Sequence, residues 1–190
     1  MSVAIQVPAI KAVQPPKISW ETFERRYLEK DGRFKYEWAN GELVKTQRTM
    51  NQTQQYILFN LESLLESLKK SSIQIGRLLP EVETWFGPSW RRPDIAYFSA
   101  SQIQSFREVS NQVPQFVIEV ISNNDQINKA TEKLIDYRNA KVAIVWFVFP
   151  KTKEVHVYRG KQMTICTGDD ICSAEPVIPG FLIKASEVFN

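Results

Sequence analysis

Apolar residues occupy both faces of a predicted strand in the segment 115–122, which reads Gln-Phe-Val-Ile-Glu-Val-Ile-Ser. Such a pattern is typical of a central strand in a sheet that is covered on both sides. Glu119 lies in the middle of this segment, and a carboxylate is almost never fully buried unless it is paired, hydrogen-bonded or bound to a metal ion. We therefore expect Glu119 to have a partner elsewhere in the chain.

The first half of the chain alternates between helical and extended patterns. Ser19 is a candidate N-cap for a short helix that ends at about Leu28. The alternating segment 34–45, with Asn40-Gly41 in its centre, is typical of a β-hairpin. Leucine and isoleucine residues at helical spacing between about 51 and 70 predict an amphipathic helix of roughly five turns.

The second half predicts an α/β fold with a mixed central sheet. The other predicted elements are strands at 73–79, 81–86, 94–98, 143–149, 154–158, 163–166 and 181–183, and helices at 101–108, 126–139 and near 186. Strands 115–122 and 143–149, joined by one helix, form a βαβ-type unit that is right-handed if the strands are parallel. Residues 1–17 contain Pro15-Pro16 and no apolar period, so we expect a flexible leader followed by one domain over 18–190.

Composition narrows the function classes. The chain of 190 residues has 43% hydrophobic residues, which suits one soluble domain. No apolar run approaches the ~20 residues of a membrane span, and no signal peptide is recognisable, so we expect a cytoplasmic protein with Cys166 and Cys172 as reduced thiols. The net charge of +3 permits nucleic-acid binding without arguing for it. His156 is the single histidine, which excludes a histidine-rich metal centre and a Ser-His-Asp triad.

Asp94 is the other acidic residue in a strand context. It follows Pro93 at the start of the predicted strand 94–98, where a proline is tolerated because it donates no ladder hydrogen bond. Carboxylates on neighbouring strands that meet at one end of a sheet either repel each other or share a divalent cation. The alternative is that Asp94 is a turn residue paired with Arg91 or Arg92.

Lys133 is a candidate partner for Glu119 because of helical periodicity. The predicted helix 126–139 has an apolar stripe at i, i+4 and i+7, formed by Ala130, Leu134 and Tyr137. Lys133 occupies the i+3 position of this stripe and so points towards the sheet. Its ammonium group either reaches water along the protein surface or lies next to Glu119. Lys129, one turn earlier, is a weaker candidate.

Several segments resemble one nuclease family when they are taken together in order. Pro93-Asp94 is followed about two dozen residues later by Glu119 in an apolar strand. The accompanying segments are Tyr36-Glu37, Asn40-Gly41-Glu42, Arg92, Ile118 to Ser122, Lys133 with Tyr137, Val145-Trp146-Phe147, Val157-Tyr158 and Pro179-Gly180-Phe181. Over roughly 19–189 the chain resembles the PD-(D/E)XK nuclease superfamily, and more narrowly the Uma2 family, also called DUF820, of restriction endonuclease-like proteins.

This resemblance implies a restriction endonuclease-like fold, a mixed β-sheet flanked by helices with an N-terminal hairpin. It also implies hydrolysis of DNA phosphodiester bonds with Mg²⁺ or Mn²⁺. Asp94, Glu119 and the Val120 carbonyl would hold the metal ion, since hard cations take oxygen ligands. The ion would lower the pKa of a bound water and polarise the phosphate.

The chain departs from the superfamily pattern at Ile121. The pattern has a lysine two residues after the glutamate, on the same face of the strand. The resemblance implies that the lysine has moved to the helix, where Lys133 matches the Uma2-type position. Glu37, in the hairpin motif, is either an additional acid of the site or a charge on the sheet surface.

Binding residues and assembly are also open to prediction. Trp90-Arg91-Arg92 combines an aromatic ring with two cations, which suits phosphate contact or base stacking, and surface charge beside a turn is the alternative. A homodimer is expected to suit a nuclease, because two-fold related sites can cut both strands of a duplex. The alternative function is that of a catalytically weak or inactive member of the fold that binds nucleic acid or protein.

Overall fold

The structure is a computed structural model that describes residues 17–30, 32–47, 52–70, 75–109, 111–121 and 127–190. The leader expected over 1–17 lies outside these ranges except for Lys17, which forms a β-bridge with Glu42. Within the described ranges, none of the helices has the length and apolar character needed to cross a membrane.

Five α-helices and twelve strands make up the described fold. The helices are α1 Trp20–Phe23, which continues as a π-helical turn Glu24–Leu28, α2 Gln52–Lys69, α3 Ala100–Gln104, α4 Ile127–Asn139 and α5 Ala185–Val188. The strands are β1 Phe34–Ala39, β2 Glu42–Gln47, β3 Arg77–Pro80, β4 Thr84–Phe86, β5 Ser89–Arg91, β6 Ile95–Phe98, β7 Phe116–Val120, β8 Ile144–Phe149, β9 Glu154–Arg159, β10 Gln162–Thr167, β11 Ile171–Ser173 and β12 Leu182–Lys184.

The central sheet has six strands in the order β10-β9-β8-β7-β6-β3. Strands β7 and β8 are parallel and α4 connects them, whereas the other neighbours in this sheet are antiparallel. The prediction of a mixed central sheet around a βαβ unit is therefore confirmed. All five residues of β7 are buried, as its apolar pattern predicts.

The two faces of β7 pack against different helices. Phe116, Ile118 and Val120 belong to a core that includes the buried face of α2 and the C-terminal residues around Phe181. The opposite face packs against α4, in a cluster that includes Val117, Ile121, Ala130, Leu134 and Tyr137. Because side chains alternate along a strand, Glu119 shares the α4 face with Val117 and Ile121. The apolar stripe of α4 and the Glu119 face of β7 thus pack against each other, as both sequence patterns predict.

A smaller sheet, in the order β2-β1-β5-β4, carries the N-terminal hairpin. The predicted Asn40-Gly41 turn is confirmed, and both residues have positive φ angles, 47° and 94°, as a tight hairpin turn requires. Strand β5 is not among the predicted elements; it follows a turn at Gly87-Pro88 and begins at Ser89. The pairing of β1 with β5 brings the hairpin against the segment that precedes β6.

Differences from the predicted elements lie mainly at the ends. The strand predicted over 73–79 begins at Arg77, with residues 73 and 74 outside the described ranges, and the strand predicted over 81–86 begins at Thr84. The helix predicted over 101–108 spans Ala100–Gln104 and starts in a capping box formed by Ser99 and Gln102. The short strand β11 was not predicted.

Candidate active site

Glu119 has two donors from α4. The Lys133 ammonium lies 2.8 Å from Glu119 Oε2. The Tyr137 hydroxyl donates a hydrogen bond to Glu119 Oε1. Lys133 and Tyr137 are four residues apart, so they lie on the same side of the helix one turn from each other. The structure therefore brings together Glu119 and Lys133, the pair that strand pattern and helical periodicity predict.

Asp94 lies beside Glu119 at the same end of the sheet. Ile95 is paired with Ile118, so the register carried one position further sets Asp94 opposite Glu119. The Val120 amide donates to Asp94 Oδ2 over 2.8 Å, and the Lys35 ammonium lies 2.8 Å from Oδ1. The alternative in which Asp94 pairs with a neighbouring arginine is not what the structure contains, since its cationic partner is Lys35 from β1.

Glu37 has a side-chain exposure of 0% and belongs to a cluster of charged side chains. The members of this cluster are Lys35, Glu37, Arg91, Asp94, Glu119, Lys133 and Asp136. The Arg92 amide donates to Glu37 Oε1 over 2.8 Å, and the Lys133 ammonium lies 3.6 Å from that oxygen. Glu37 Oε2 has no hydrogen-bond partner and faces Arg91 Nη1 at 3.6 Å. The interpretation of Glu37 as a charge on the sheet surface is therefore wrong, because this acid is buried within the cluster.

Arg91 and Arg92 occupy different environments. The Arg91 side chain is 3% exposed, and its Nε and Nη2 atoms lie 2.8 and 2.7 Å from Asp136 Oδ2. A buried guanidinium with this internal carboxylate partner presents no surface to a phosphate, which conflicts with the nucleic-acid contact expected of Arg91. The Arg92 guanidinium lies 2.8 Å from Glu83 Oε1, and its side chain is 16% exposed. A nucleic-acid contact by Arg92 stays a prediction.

Burial and ion pairing shift the ionisation of the Glu119–Lys133 pair. Burial raises the pKa of Glu119 above its ordinary value, although the Lys133 ammonium opposes this shift. Burial alone would lower the pKa of Lys133, but Glu119 and Glu37 outweigh it and raise the pKa. Lys133 is therefore a stable cation at neutral pH. Burial, followed by the Glu119 charge, raises the pKa of Tyr137 well above its usual range, so Tyr137 is a hydrogen-bond donor.

The Asp94–Lys35 pair is ionised more firmly. Burial would raise the pKa of Asp94, but the Lys35 and Lys133 ammonium groups and the Val120 amide together hold it below its ordinary value. Burial would lower the pKa of Lys35, but the nearby carboxylates, Asp94 first among them, raise it far above its ordinary value. Both groups are thus charged throughout the neutral pH range.

The residue types fit a hard divalent cation. Among the described residues there is no group of three or more His, Cys, Asp and Glu side chains arranged around a potential metal position. Mg²⁺, however, is usually held by one or two carboxylates together with waters and substrate phosphates. Asp94 and Glu119 each accept hydrogen bonds from two internal donors, while a carboxylate has about four acceptor positions. Their oxygens therefore keep capacity for a cation.

Two members of the cluster were missed in the sequence. Lys35 stands between aromatic residues of the hairpin, where an alternating pattern is compatible with a solvent-facing lysine. Asp136 could have been found, because it lies three residues after Lys133 and next to Tyr137 on the helix that faces the sheet.

Comparisons with known proteins identify the family of the chain and a similar fold. The Uma2 family model, described as "Putative restriction endonuclease", matches residues 20–186. The fold is similar to the crystal structure of "a putative nuclease belonging to DUF820" from Anabaena variabilis ATCC 29413, with a TM-score of 0.68 and 22% sequence identity, over 81% of this chain and 89% of that chain. No curated protein matches the chain. Since the family model covers most of the sequence, the chain belongs to the Uma2 family.

Proposed function

We propose that this protein is a Mg²⁺-dependent endonuclease that hydrolyses phosphodiester bonds of DNA, with Mn²⁺ able to replace Mg²⁺. The family description and the described nuclease with the same fold support a nuclease-like function. The observation that carries the proposal is the convergence of Asp94, Glu119 and Lys133 at one end of neighbouring strands, with the Lys133 ammonium 2.8 Å from Glu119. Two carboxylates and a lysine are the groups that this chemistry needs.

In this proposal Asp94, Glu119 and the Val120 carbonyl hold the metal ion. When bound, the ion supplies a water of lowered pKa and polarises the scissile phosphate. The Val120 amide fixes Asp94 Oδ2, and the Tyr137 hydroxyl fixes Glu119 Oε1, so both carboxylates are oriented by groups that carry no charge. Such orientation before the reaction is what makes a charged site effective.

Lys133 is the proposed electrophilic group. Its ammonium stays protonated beside Glu119 and Glu37, and it would stabilise the negative charge that develops on the phosphate. Glu37 is the proposed additional acid, and its Oε1 atom lies 3.6 Å from the Lys133 ammonium. Arg92 is the proposed contact for the DNA backbone, and a homodimer would allow both strands of a duplex to be cut.

The test is metal-dependent nicking of supercoiled plasmid by purified protein, with Mg²⁺, Mn²⁺ or a chelator. We expect Asp94→Asn and Glu119→Gln to abolish nicking and Lys133→Met to reduce its rate by about 10²–10³-fold, the usual effect of removing one charge-stabilising group. Lys129→Met is the matched control, because it removes the same charge from the same helix one turn earlier. Nicking that survives unchanged in Asp94→Asn and Glu119→Gln would contradict the assigned site.

A second function, binding of nucleic acid or protein without catalysis, is favoured by one observation. Each oxygen of Asp94 and Glu119 already accepts a hydrogen bond from an internal donor. A site in which each oxygen of these two carboxylates has a partner without metal suits a stable binding module. Calorimetry separates the two functions: an endonuclease binds Mn²⁺ and loses that binding in Glu119→Gln, whereas a binding module retains DNA or protein affinity in the presence of a chelator.

A further inference from the structure

Lys35 is a second lysine of the site and has a contact of its own. Strand β1 carries it into the cluster, where its side chain is 7% exposed and its ammonium lies 2.8 Å from Asp94 Oδ1. Lys133 makes the corresponding contact with Glu119 Oε2, also at 2.8 Å. Each carboxylate at this end of the central sheet therefore has its own lysine. The two lysines come from different elements, β1 and α4.

The cluster is nearly neutral because of Lys35. Its charged side chains are the acids Glu37, Asp94, Glu119 and Asp136 and the cations Lys35, Arg91 and Lys133. Four negative and three positive charges leave a net charge of −1 inside a buried region. A divalent cation added to this set would make it +1, whereas the same set without Lys35 has a charge of −2, which a divalent cation balances.

We propose that Lys35 is a positioning residue that holds Asp94 in the metal-free protein and competes with the divalent cation for this carboxylate. The inference rests on the proposed function, in which Asp94 is a metal ligand. A cation ligated by Asp94 Oδ1 at about 2.1 Å would lie within about 5 Å of the Lys35 ammonium, which is 2.8 Å from the same oxygen, so the two positive charges repel each other. Lys35 thereby keeps the cluster folded without metal and sets a weak affinity for metal in the free protein.

Lys35 differs from Lys133 in the number of carboxylates that it contacts. The contacts of Lys133 are divided between Glu119 and Glu37, which lies 3.6 Å away, so this lysine retains a carboxylate partner if Glu119 turns to a metal ion. The one ion pair of Lys35 among the described residues is with Asp94. Displacement from Asp94 therefore breaks the ion pair of Lys35 and leaves it only the longer-range attraction of Glu119 and Glu37, whereas Lys133 keeps Glu37 at 3.6 Å.

The test is Mn²⁺ titration of the full-length chain by calorimetry, without DNA, on the wild type, Lys35→Met and Lys35→Arg. We expect Lys35→Met to bind Mn²⁺ at least about tenfold more tightly, because even in water a unit charge about 4 Å from a divalent ion weakens binding by more than this factor. Lys35→Arg keeps the charge and should bind like the wild type. Lys45→Met, which removes an exposed charge from the other strand of the hairpin, is the matched control and should leave the affinity unchanged.

Three results would overturn the proposal: unchanged or weaker Mn²⁺ binding in Lys35→Met, equal tightening in Lys35→Arg, or equal tightening in Lys45→Met. If Lys35→Met does not fold, Lys35→Gln, which retains a hydrogen-bond donor, replaces it with the same expectation. Absence of Mn²⁺ binding in both the wild type and Lys35→Met would refute the proposed function instead. Thermal unfolding without metal tests the Lys35–Asp94 contact separately. Lys35→Met should lower the Tm of the wild type by more than it lowers the Tm of Asp94→Asn.

Discussion

Replacement of Lys133 by methionine tests whether this lysine and Glu119 act as a unit. The Lys133 side chain is 12% exposed and the Glu119 side chain 3%, so solvent screens their interaction little. Methionine keeps much of the length and apolar character of the lysine stem while it removes the ammonium. Glu119 would then remain as a buried carboxylate with the Tyr137 hydroxyl as its nearest donor.

The expected loss of stability follows from this burial. Removal of one partner from a buried ion pair costs about 3–5 kcal/mol, because the remaining charge has lost its compensation. For a domain of this size, 1 kcal/mol corresponds to about 2–4 °C in Tm, so Lys133→Met should unfold roughly 6–20 °C below the wild type. Glu119→Gln/Lys133→Met should lose much less than the sum of the two single variants. The double variant should still be less stable than the wild type, because Glu37 also loses Lys133 as a neighbour at 3.6 Å.

Urea denaturation at pH 7 with a chelator measures these changes without metal or substrate. A double-mutant cycle over the wild type, the two single variants and the double variant gives the coupling energy directly. Equal m-values across the set would show that the same unfolding transition is compared. A coupling energy below about 0.5 kcal/mol, the size found between independent sites, would refute the conclusion that Lys133 compensates the buried charge of Glu119.

Two further predictions concern the donors and acids around this pair. Tyr137→Phe removes the hydroxyl that bonds Glu119 Oε1 and should cost about 1–3 kcal/mol in urea denaturation, whereas Tyr158→Phe, at a half-buried position, should cost less; equal losses would contradict a specific role. The pKa of Asp94 is held below its ordinary value, so its stabilising contribution is present above that ordinary value and is lost as the pH falls through the lowered one. In Asp94→Asn the free energy of unfolding should therefore fall less steeply at acid pH than in the wild type. The same pH dependence in both proteins would be inconsistent with the Lys35 contact.

The central strand and its helix were predictable because their signals are local. The apolar run of β7 predicts a strand that is buried on both faces, and all five of its residues are buried. The spacing of apolar residues in α4 predicts the side of the helix that faces the sheet. Glu119 and Lys133 stand out against these two patterns as charged residues in apolar positions. Their contact follows from the right pairing of two elements that are adjacent in sequence, and this requires no knowledge of distant parts of the chain.

Lys35 and Arg91 could not be assigned correctly because their environment depends on distant pairings. Strand β5 spans only Ser89–Arg91 and pairs with β1, which is about fifty residues earlier. Arg91 on this strand contacts Asp136, and Lys35 on β1 contacts Asp94, 59 residues later, so both side chains are buried although local alternation predicts them to be exposed. A charged residue beside a turn is normally solvated, so the sequence favoured a surface role. Tertiary pairing overrides such local patterns.

The ammonium group beside Glu119 comes from Lys133 on α4 and not from position 121 on β7. A lysine at position 121 would extend from β7 on the same face as Glu119, towards α4. Ile121 instead packs in the apolar cluster against this helix, and Lys133 delivers an ammonium from the helix to Glu119 Oε2. Electrostatics requires a cation at that point in space and does not require a particular chain position. Any element that packs on this face of β7 can therefore supply the charge, so the absence of a lysine at 121 is not evidence against a charged site.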